Sequence, residues 1–371
     1  AVGKSAVQAN STGTQNTGVG KFALAANTTA SYNTGVGMCA AYTNTTGTWN
    51  TAIGYASFMS NTTGSYNTAS GMYAMRNNQS GCRNVATGVR ALGANTSGDF
   101  NSATGTCSLY SNTEGCNNVS TGFNSLLSNT TGHCNTAVGN HALKSNTTAG
   151  YNTAIGSQSL YGNTTGTGNN AIGTQALLSN TTGSCNVANG QWALYANTTG
   201  AQNTAVGVMA SCHNTTGSYN TAMGTCSIYT NTTGTENTAM GFRSMAANTT
   251  GSYNTAIGQQ SLCKNTTGAQ NTAVGLNALK LNTSGCSNTA VGFKTLQENT
   301  TACYNVGIGE CALYANTTGD RNTAGGFRTL KSNTTGCRNT AWGYAVLAAN
   351  TTGCHNTGSG YNALTSNTTA H

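Results

Sequence analysis

A 17-residue repeat runs through the whole chain without an insertion or a deletion, and it constrains the fold more than any other feature. The first Asn of the repeat recurs at Asn16, Asn33 and every seventeenth residue thereafter, up to Asn356. A fixed short period is typical of stacked, quasi-one-dimensional proteins, in which each repeat contacts only its neighbours. We therefore predict a single repeat array over residues 1–371, incomplete at both ends and without a capping domain.

The repeat positions differ in how much variation they accept. Numbered from that Asn, the repeat reads N-T-A-[V/I]-G-x-x-[A/S]-L-x-x-N-T-T-G-x-x. Positions 1 and 12 are always Asn, position 5 is always Gly, and position 9 is mostly Leu, whereas positions 6, 7, 10, 11, 16 and 17 accept almost any residue. The constant residues predict structural ladders that include Asn16, Asn33, Asn254, Asn271, Gly258, Gly275, Leu262 and Leu279.

The length of the repeat indicates the fold class. Seventeen residues are too few for two full helices but suit one turn of an all-β β-solenoid or β-roll, with equivalent residues stacked about 4.8 Å apart. Roughly 22 such coils would form a rod of about 105 Å. The N-T-A-[V/I]-G segment predicts a short strand. The x-x-[A/S]-L-x-x segment predicts either a second strand or a short helical turn in each coil.

Small residues at three positions indicate close contacts. Position 5 requires Gly either because φ is positive or because another backbone approaches too closely for a Cβ. Position 15 is usually Gly but becomes Ala at Ala30, Ala149, Ala302 and Ala370, so it is predicted to require a small residue more than a positive φ. Position 3 is Ala, Gly or Ser throughout, as we expect where several chains pack about a common axis.

Composition argues against several classes of function. Only 5% of the residues are charged, the net charge is +8, and the Lys and Arg residues form no basic run, so we expect no nucleic-acid groove. The six carboxylates are dispersed along the chain and the five His residues form no repeated set, so we predict no enzyme, no metal site and no cofactor. No apolar run is long enough for a membrane span, and no signal peptide is evident.

Two cysteine pairs lie one period apart at the same repeat position. They are Cys286 with Cys303 and Cys337 with Cys354, and the stacking distance lies within the Cα range of a disulfide. Cys116 and Cys134 are offset by one further residue and form a poorer candidate pair. If oxidised, these bridges imply an extracellular or periplasmic setting; the alternative is reduced, unpaired surface thiols.

Position 12 opens an N-x-[S/T] sequon in every repeat except that of Asn112. One interpretation is N-glycosylation. The other is a structural turn and ladder in which Asn bonds its own backbone or the Asn of the next coil, and it is favoured because position 1 is equally constant without generally forming a sequon. The candidate acceptors are Asn27, Asn44, Asn61, Asn129, Asn265, Asn316, Asn333 and Asn350.

Position 17 is often aromatic, and its candidate binding residues are Tyr32, Trp49, Tyr66 and Tyr253. Aromatic side chains stacked along a rod could bind sugars or partner fibres. The alternative is that they stack across coils and stiffen the rod.

Repeats such as NTAIGQQSLCKNTTG, residues 254–268, resemble those of tail-fibre-type proteins of phages and bacteria, and more distantly the heads of trimeric autotransporter adhesins. The resemblance spans essentially the whole chain. It implies parallel β-rolls in extracellular rods on a cell surface, appendage or virion, often homotrimeric, that hold a binding tip away from a surface.

Three functions are considered on this basis. The favoured one is a self-associating structural fibre or appendage shaft, either a homo-oligomer or a filament. The second is an adhesin or carbohydrate-binding rod that contacts glycans or a cell surface. The third, an ice-binding solenoid, is disfavoured because the paired Thr266 and Thr267 are adjacent and would point to opposite faces of a strand.

Overall fold

The chain is an all-β parallel β-solenoid with 17-residue coils, as predicted. The computed structural model describes residues 1–370, and this range contains strands and turns but no helix. The fold comprises two compact units, Ala1–Cys185 and Asn186–His371. Each complete coil in either unit contributes one short strand.

The strands of the first unit are β1 (Thr17–Val19), β2 (Thr34–Val36), β3 (Thr51–Ile53), β4 (Thr68–Ser70), β5 (Val85–Thr87), β6 (Ser102–Thr104), β7 (Val119–Thr121), β8 (Thr136–Val138), β9 (Thr153–Ile155) and β10 (Asn170–Ile172). Those of the second unit are β11 (Val187–Asn189), β12 (Thr204–Val206), β13 (Thr221–Met223), β14 (Thr238–Met240), β15 (Thr255–Ile257), β16 (Thr272–Val274), β17 (Thr289–Val291), β18 (Val306–Ile308), β19 (Thr323–Gly325), β20 (Thr340–Tyr344) and β21 (Thr357–Tyr361).

Within each unit, consecutive strands pair in parallel, and each residue lies opposite the residue 17 positions away, which has the same repeat position. Thr17 lies opposite Thr34 in the first unit, and Ala256 lies opposite Ala273 in the second. Equal repeat positions therefore lie above one another, and each position forms a column of side chains along the stack. We refer to these columns by their repeat position.

The small residue at position 3 faces the core of its own coil. Position 3 is buried in every strand, whereas positions 2 and 4 on either side of it point outward. A Cβ at Gly35 would lie only 3.1 Å from Cγ of Leu24, because the position-9 side chain fills the space beneath the strand. The core of a single chain accounts for the small residues, so position 3 is not evidence for several chains around a common axis.

The segment at positions 6–11 is neither a second strand nor a helical turn, and both expectations for it are wrong. Gln260 and Leu262 have φ values of 55° and 46°, whereas strands and right-handed helices require negative φ. The Gln260 N–H donates to Phe242 O in the preceding coil and the Leu262 N–H to Ala278 O in the next coil, each at 3.0 Å. The alternating backbone thus hydrogen-bonds to both neighbouring coils.

We expect Leu262→Ala to lower the free energy of unfolding by about 2–3 kcal/mol, because it removes fully buried carbon atoms from a thin core. The lower part of the usual range applies because the same column already accepts Ala41 and Ser211. Urea denaturation followed by circular dichroism measures the change. Leu276→Ala is the matched control, since Leu276 is 40% exposed, and an equal loss in both variants would contradict the assignment of Leu262 to the core.

Candidate functional site

Two Asn residues in each coil converge on one backbone carbonyl. The oxygen of Gly268, at position 15, accepts hydrogen bonds from Nδ2 of Asn254 at 2.8 Å and from Nδ2 of Asn265 at 2.9 Å. The two Asn residues belong to positions 1 and 12, which are invariant in the repeat. Their shared acceptor explains why these distant positions are constant together.

The same side chains continue as ladders along the stack. Asn265 Nδ2 donates to Asn248 Oδ1 at 2.8 Å, and Asn282 Nδ2 donates to Asn265 Oδ1 at 2.7 Å. In the other ladder, the Asn271 backbone N–H donates to Asn254 Oδ1 at 3.0 Å. Most buried polar groups of native proteins are hydrogen-bonded, and within the ladders the amide of one coil provides the partner for the amide of the next.

The structure places all the candidate glycosylation acceptors inside the coil. Fully buried side chains (0% exposed) are found at Asn27, Asn44, Asn61, Asn129, Asn265, Asn316, Asn333 and Asn350. An N-linked glycan is attached to Nδ2, the atom that donates the ladder hydrogen bonds. A glycan there would have to replace these bonds and pass through the coil wall, so the folded coil offers no accessible acceptor at these eight residues.

The two glycine positions serve different geometric needs. Gly258, at position 5, has φ +127° and a Cβ there would lie 2.6 Å from Gly275 O, so both expected reasons for Gly apply. Gly268, at position 15, does not have a positive φ in the left-handed range, but a Cβ there would meet Asn265 Oδ1 and the Gly285 oxygen. Position 15 thus requires a small residue, as predicted.

Position 16 carries a structural role that the sequence analysis missed. In many coils its Ser, Cys or Asp side chain accepts a hydrogen bond from the backbone N–H of position 16 in the preceding coil, as Ser65 Oγ does from Thr48 at 3.0 Å and Asp99 Oδ1 does from Cys82 at 2.6 Å. Most residues at this position are Ser, Thr, Cys or Asp. The shared property, a short side chain with an acceptor atom, was the available signal.

Both candidate disulfide pairs belong to this position-16 column. The sulfur atoms of Cys286 and Cys303 lie 2.7 Å apart, and those of Cys337 and Cys354 lie 2.8 Å apart. Burial, followed by the hydrogen bond with Cys286, raises the pKa of Cys303 to about 11. The hydrogen bond with Cys354, followed by burial, raises the pKa of Cys337. Reduced Cys303 and Cys337 are therefore poor nucleophiles at neutral pH.

We expect the two pairs to form intrachain disulfides when the folded protein is treated with oxidised glutathione. Each new S–S bond releases two protons and two electrons, and one glutathione disulfide takes up both as its own S–S bond breaks to give two thiols. Because the attacking species is the thiolate and the pKa of Cys303 is raised to about 11, attack by Cys303 should become faster as the pH rises above neutral. Mass spectrometry of a non-reduced digest measures the bridges, with Cys116 and Cys134 as the comparison pair. Equal bridging of Cys116 with Cys134 would contradict selective pairing.

Two neighbouring aromatic residues of position 17, Tyr32 and Trp49, stack on one another along the column. The rings of Tyr32 and Trp49 are 4.0 Å apart and inclined by only 5°. Further along, the Arg83 guanidinium lies over the rings of both Tyr66 and Phe100. These ring faces are directed along the column towards other side chains. Tyr32, Trp49, Tyr66 and Tyr253 remain partly exposed.

A shallow groove of about 450 Å³ opens on the turn side of the second unit. It forms where Ala246 and Ala247 lie between larger residues of neighbouring coils, and its walls include Phe242, Arg243 and Lys264. It therefore combines an aromatic ring with two cationic groups. A second groove, of about 200 Å³, opens at the same repeat positions in the first unit, where Gly93 lies between Arg76 and Tyr110. Such grooves therefore form where position 10 is small between larger neighbours.

Comparison with protein-family models gives no match, and comparison with curated proteins gives none either. Across residues 1–370, no three His, Cys, Asp or Glu side chains come together as a set that could hold a metal ion. The same part of the chain contains no helix that is both long and apolar enough to cross a membrane.

Proposed function

We propose that this chain is the structural shaft of an extracellular fibre or appendage. The observation that carries the proposal is that the constant residues of the repeat are directed to coil stacking. The Asn residues of positions 1 and 12, the Gly of position 5 and the Leu of position 9 are used for ladders, close backbone approach and core. Positions 6, 7, 10, 11 and 17 vary from coil to coil, as in a protein whose repeated task is mechanical.

The ladders suit a load-bearing element. Each added coil contributes backbone hydrogen bonds to both neighbours together with buried Asn–Asn bonds, and stacked amide ladders add stability to parallel β-structures. Since coils interact with their nearest neighbours, stability extends with repeat number. The resemblance to tail-fibre-type repeats supports the same function.

An adhesin that binds surface glycans is the second candidate, favoured by the exposed edges of position-17 aromatics such as Trp49, which is 51% exposed. The stacking of Tyr32 on Trp49 argues against it, because it covers the ring faces that a sugar would contact. Binding to a glycan array that is lost in Trp49→Ala would favour the adhesin over the shaft.

The shaft proposal is tested by changing the number of coils. Deletion of residues 254–270 removes one whole repeat and should preserve stability while shortening the particles seen by electron microscopy by about 4.8 Å. Deletion of residues 254–262, which removes part of a repeat, is the control and should lower the melting temperature. Equal behaviour of the two deletions, or particles without a constant width, would contradict the shaft.

A further inference from the structure

The outward face of the strands carries no charge in any repeat. We define the sheet face as positions 2 and 4 of β1–β10 in the first unit and of β11–β21 in the second. The 14 Lys and Arg and the six Asp and Glu residues all occupy other positions. The net charge of the chain is +8, and all of its charged side chains lie in the turn segments. This distribution is typical of a sheet face that is covered by a partner.

The sheet face is also apolar along much of its length. Position 4 is most often Val, Ile or Met and remains exposed: Ile155 and Met223 are each 40% exposed. Position 2 is mostly Thr. Monomeric soluble proteins rarely expose contiguous apolar patches beyond a few hundred Å², and larger ones mark interaction sites.

The largest side chain of this face lies flat. Trp342 replaces the usual Val or Ile at position 4, and the preceding coil has Gly325 at the same position. The indole covers Gly325, because a Cβ at that glycine would meet Cε3 and Cζ3 of Trp342. The pairing of a large residue with the smallest one limits how far the indole projects from the face.

From these observations we propose that the sheet face is the surface through which two copies of this chain associate face to face. The proposal rests on the shaft function and identifies the surface that would join shafts into a fibre. Its occupant is a second copy because the strands that carry the sheet face recur once per coil, and a second copy presents its own strands at the same spacing. An uncharged face can also meet itself without like-charge repulsion.

The available area is sufficient for a stable dimer. An accessible surface of 13868 Å² over 371 residues corresponds to about 635 Å² per 17-residue coil. A standard interface buries about 800 Å² per partner, which is about 80 Å² from each of the ten strand-bearing coils of the first unit. Burial of about one eighth of the surface of each coil is enough. A two-fold arrangement would place the same face of each copy in contact.

An ice lattice is the other periodic surface that a flat Thr-containing face could match. The size of position 4 argues against it, because this column ranges from Thr104 through Met240 to Trp342 and a lattice repeats without such variation. Ice binding is therefore an outcome to be distinguished by the experiment.

The test places charges on the sheet face. Ile155→Lys with Ile172→Lys introduces two cations on adjacent coils of this face, and Leu127→Lys with Leu178→Lys is the matched control on the turn segment, where position 10 already contains Lys144. In sedimentation velocity over a concentration series, the wild-type chain and the control should dimerise or assemble further. The sheet-face variant should dissociate, with its Kd raised about a hundredfold or more by like charges facing one another.

A second, milder variant distinguishes weakened association from misfolding. Ile155→Thr with Ile172→Thr uses a residue that position 4 already contains at Thr87 and Thr104, so it should retain the wild-type circular dichroism and still weaken association. A monomeric wild-type chain, or equal association of the sheet-face and control variants, would overturn the proposal. So would thermal hysteresis of the wild-type chain that the sheet-face variants abolish. If the wild-type chain is monomeric but its particles still become shorter when residues 254–270 are deleted, the shaft function stands. Only the proposal that the sheet face is the association surface is then rejected.

Discussion

Asn265→Ala is expected to lower the free energy of unfolding by about 2–5 kcal/mol. The change removes the Asn265 bonds to Asn248 Oδ1 and to Gly268 O, and it leaves Asn282 Nδ2 without its 2.7 Å acceptor. Each buried polar group left without a partner costs about 1–3 kcal/mol, and the fully buried site gives water little access. Urea denaturation measures the global loss. Hydrogen exchange should show the lost protection concentrated in the adjacent coils, because coils contact their nearest neighbours.

Thr267→Ala is the matched control, because it abolishes the same sequon from an exposed side chain. Its effect on stability should stay within about 0.5 kcal/mol. If the protein is secreted from a eukaryotic host, the two variants also separate glycosylation from the ladder. Equal losses in both variants, together with a glycopeptide at Asn265 in the folded wild-type protein, would contradict the ladder.

Gly258→Ala is expected to destabilise the fold by about 3 kcal/mol or more. Its φ of +127° lies in a region that residues with a Cβ rarely adopt, which alone costs of order 1–3 kcal/mol. The added Cβ would also lie 2.6 Å from Gly275 O, an atom of the backbone that cannot move without shifting the next coil. Thermal and urea denaturation measure the loss.

Gly268→Ala provides the comparison, since position 15 does not have a positive φ in the left-handed range and already carries Ala30, Ala149 and Ala302. We expect a loss of about 1–2 kcal/mol, because the added methyl group must displace the Gly285 oxygen and Asn265 Oδ1 but meets no φ penalty, in a column that already accepts Ala. A larger loss for Gly268→Ala than for Gly258→Ala would contradict the distinct roles assigned to the two glycine positions.

The candidate site was partly visible in the sequence. The Asn ladder was predicted because Asn265 and its equivalents repeat without exception, and an unbroken column of one polar residue favours stacking. The convergence of Asn254 and Asn265 on Gly268 O was not predictable, because the two side chains meet only after the chain has turned. The role of position 16 was hidden for a related reason: Ser65, Cys82 and Asp99 differ in chemistry but offer an acceptor at the same place.

The sequence by itself determined the fold class, the coil length and the parallel register. These follow from an uninterrupted period of 17 residues, since only stacking in register brings each residue onto its equivalent. The tertiary structure alone decided the path within each coil. Leu262 and Tyr253 adopt φ values of 46° and 61°, which non-glycine residues rarely adopt. Hydrogen bonds and packing between coils compensate for these unfavourable conformations. Because these interactions form only after stacking, local sequence preferences do not reflect them.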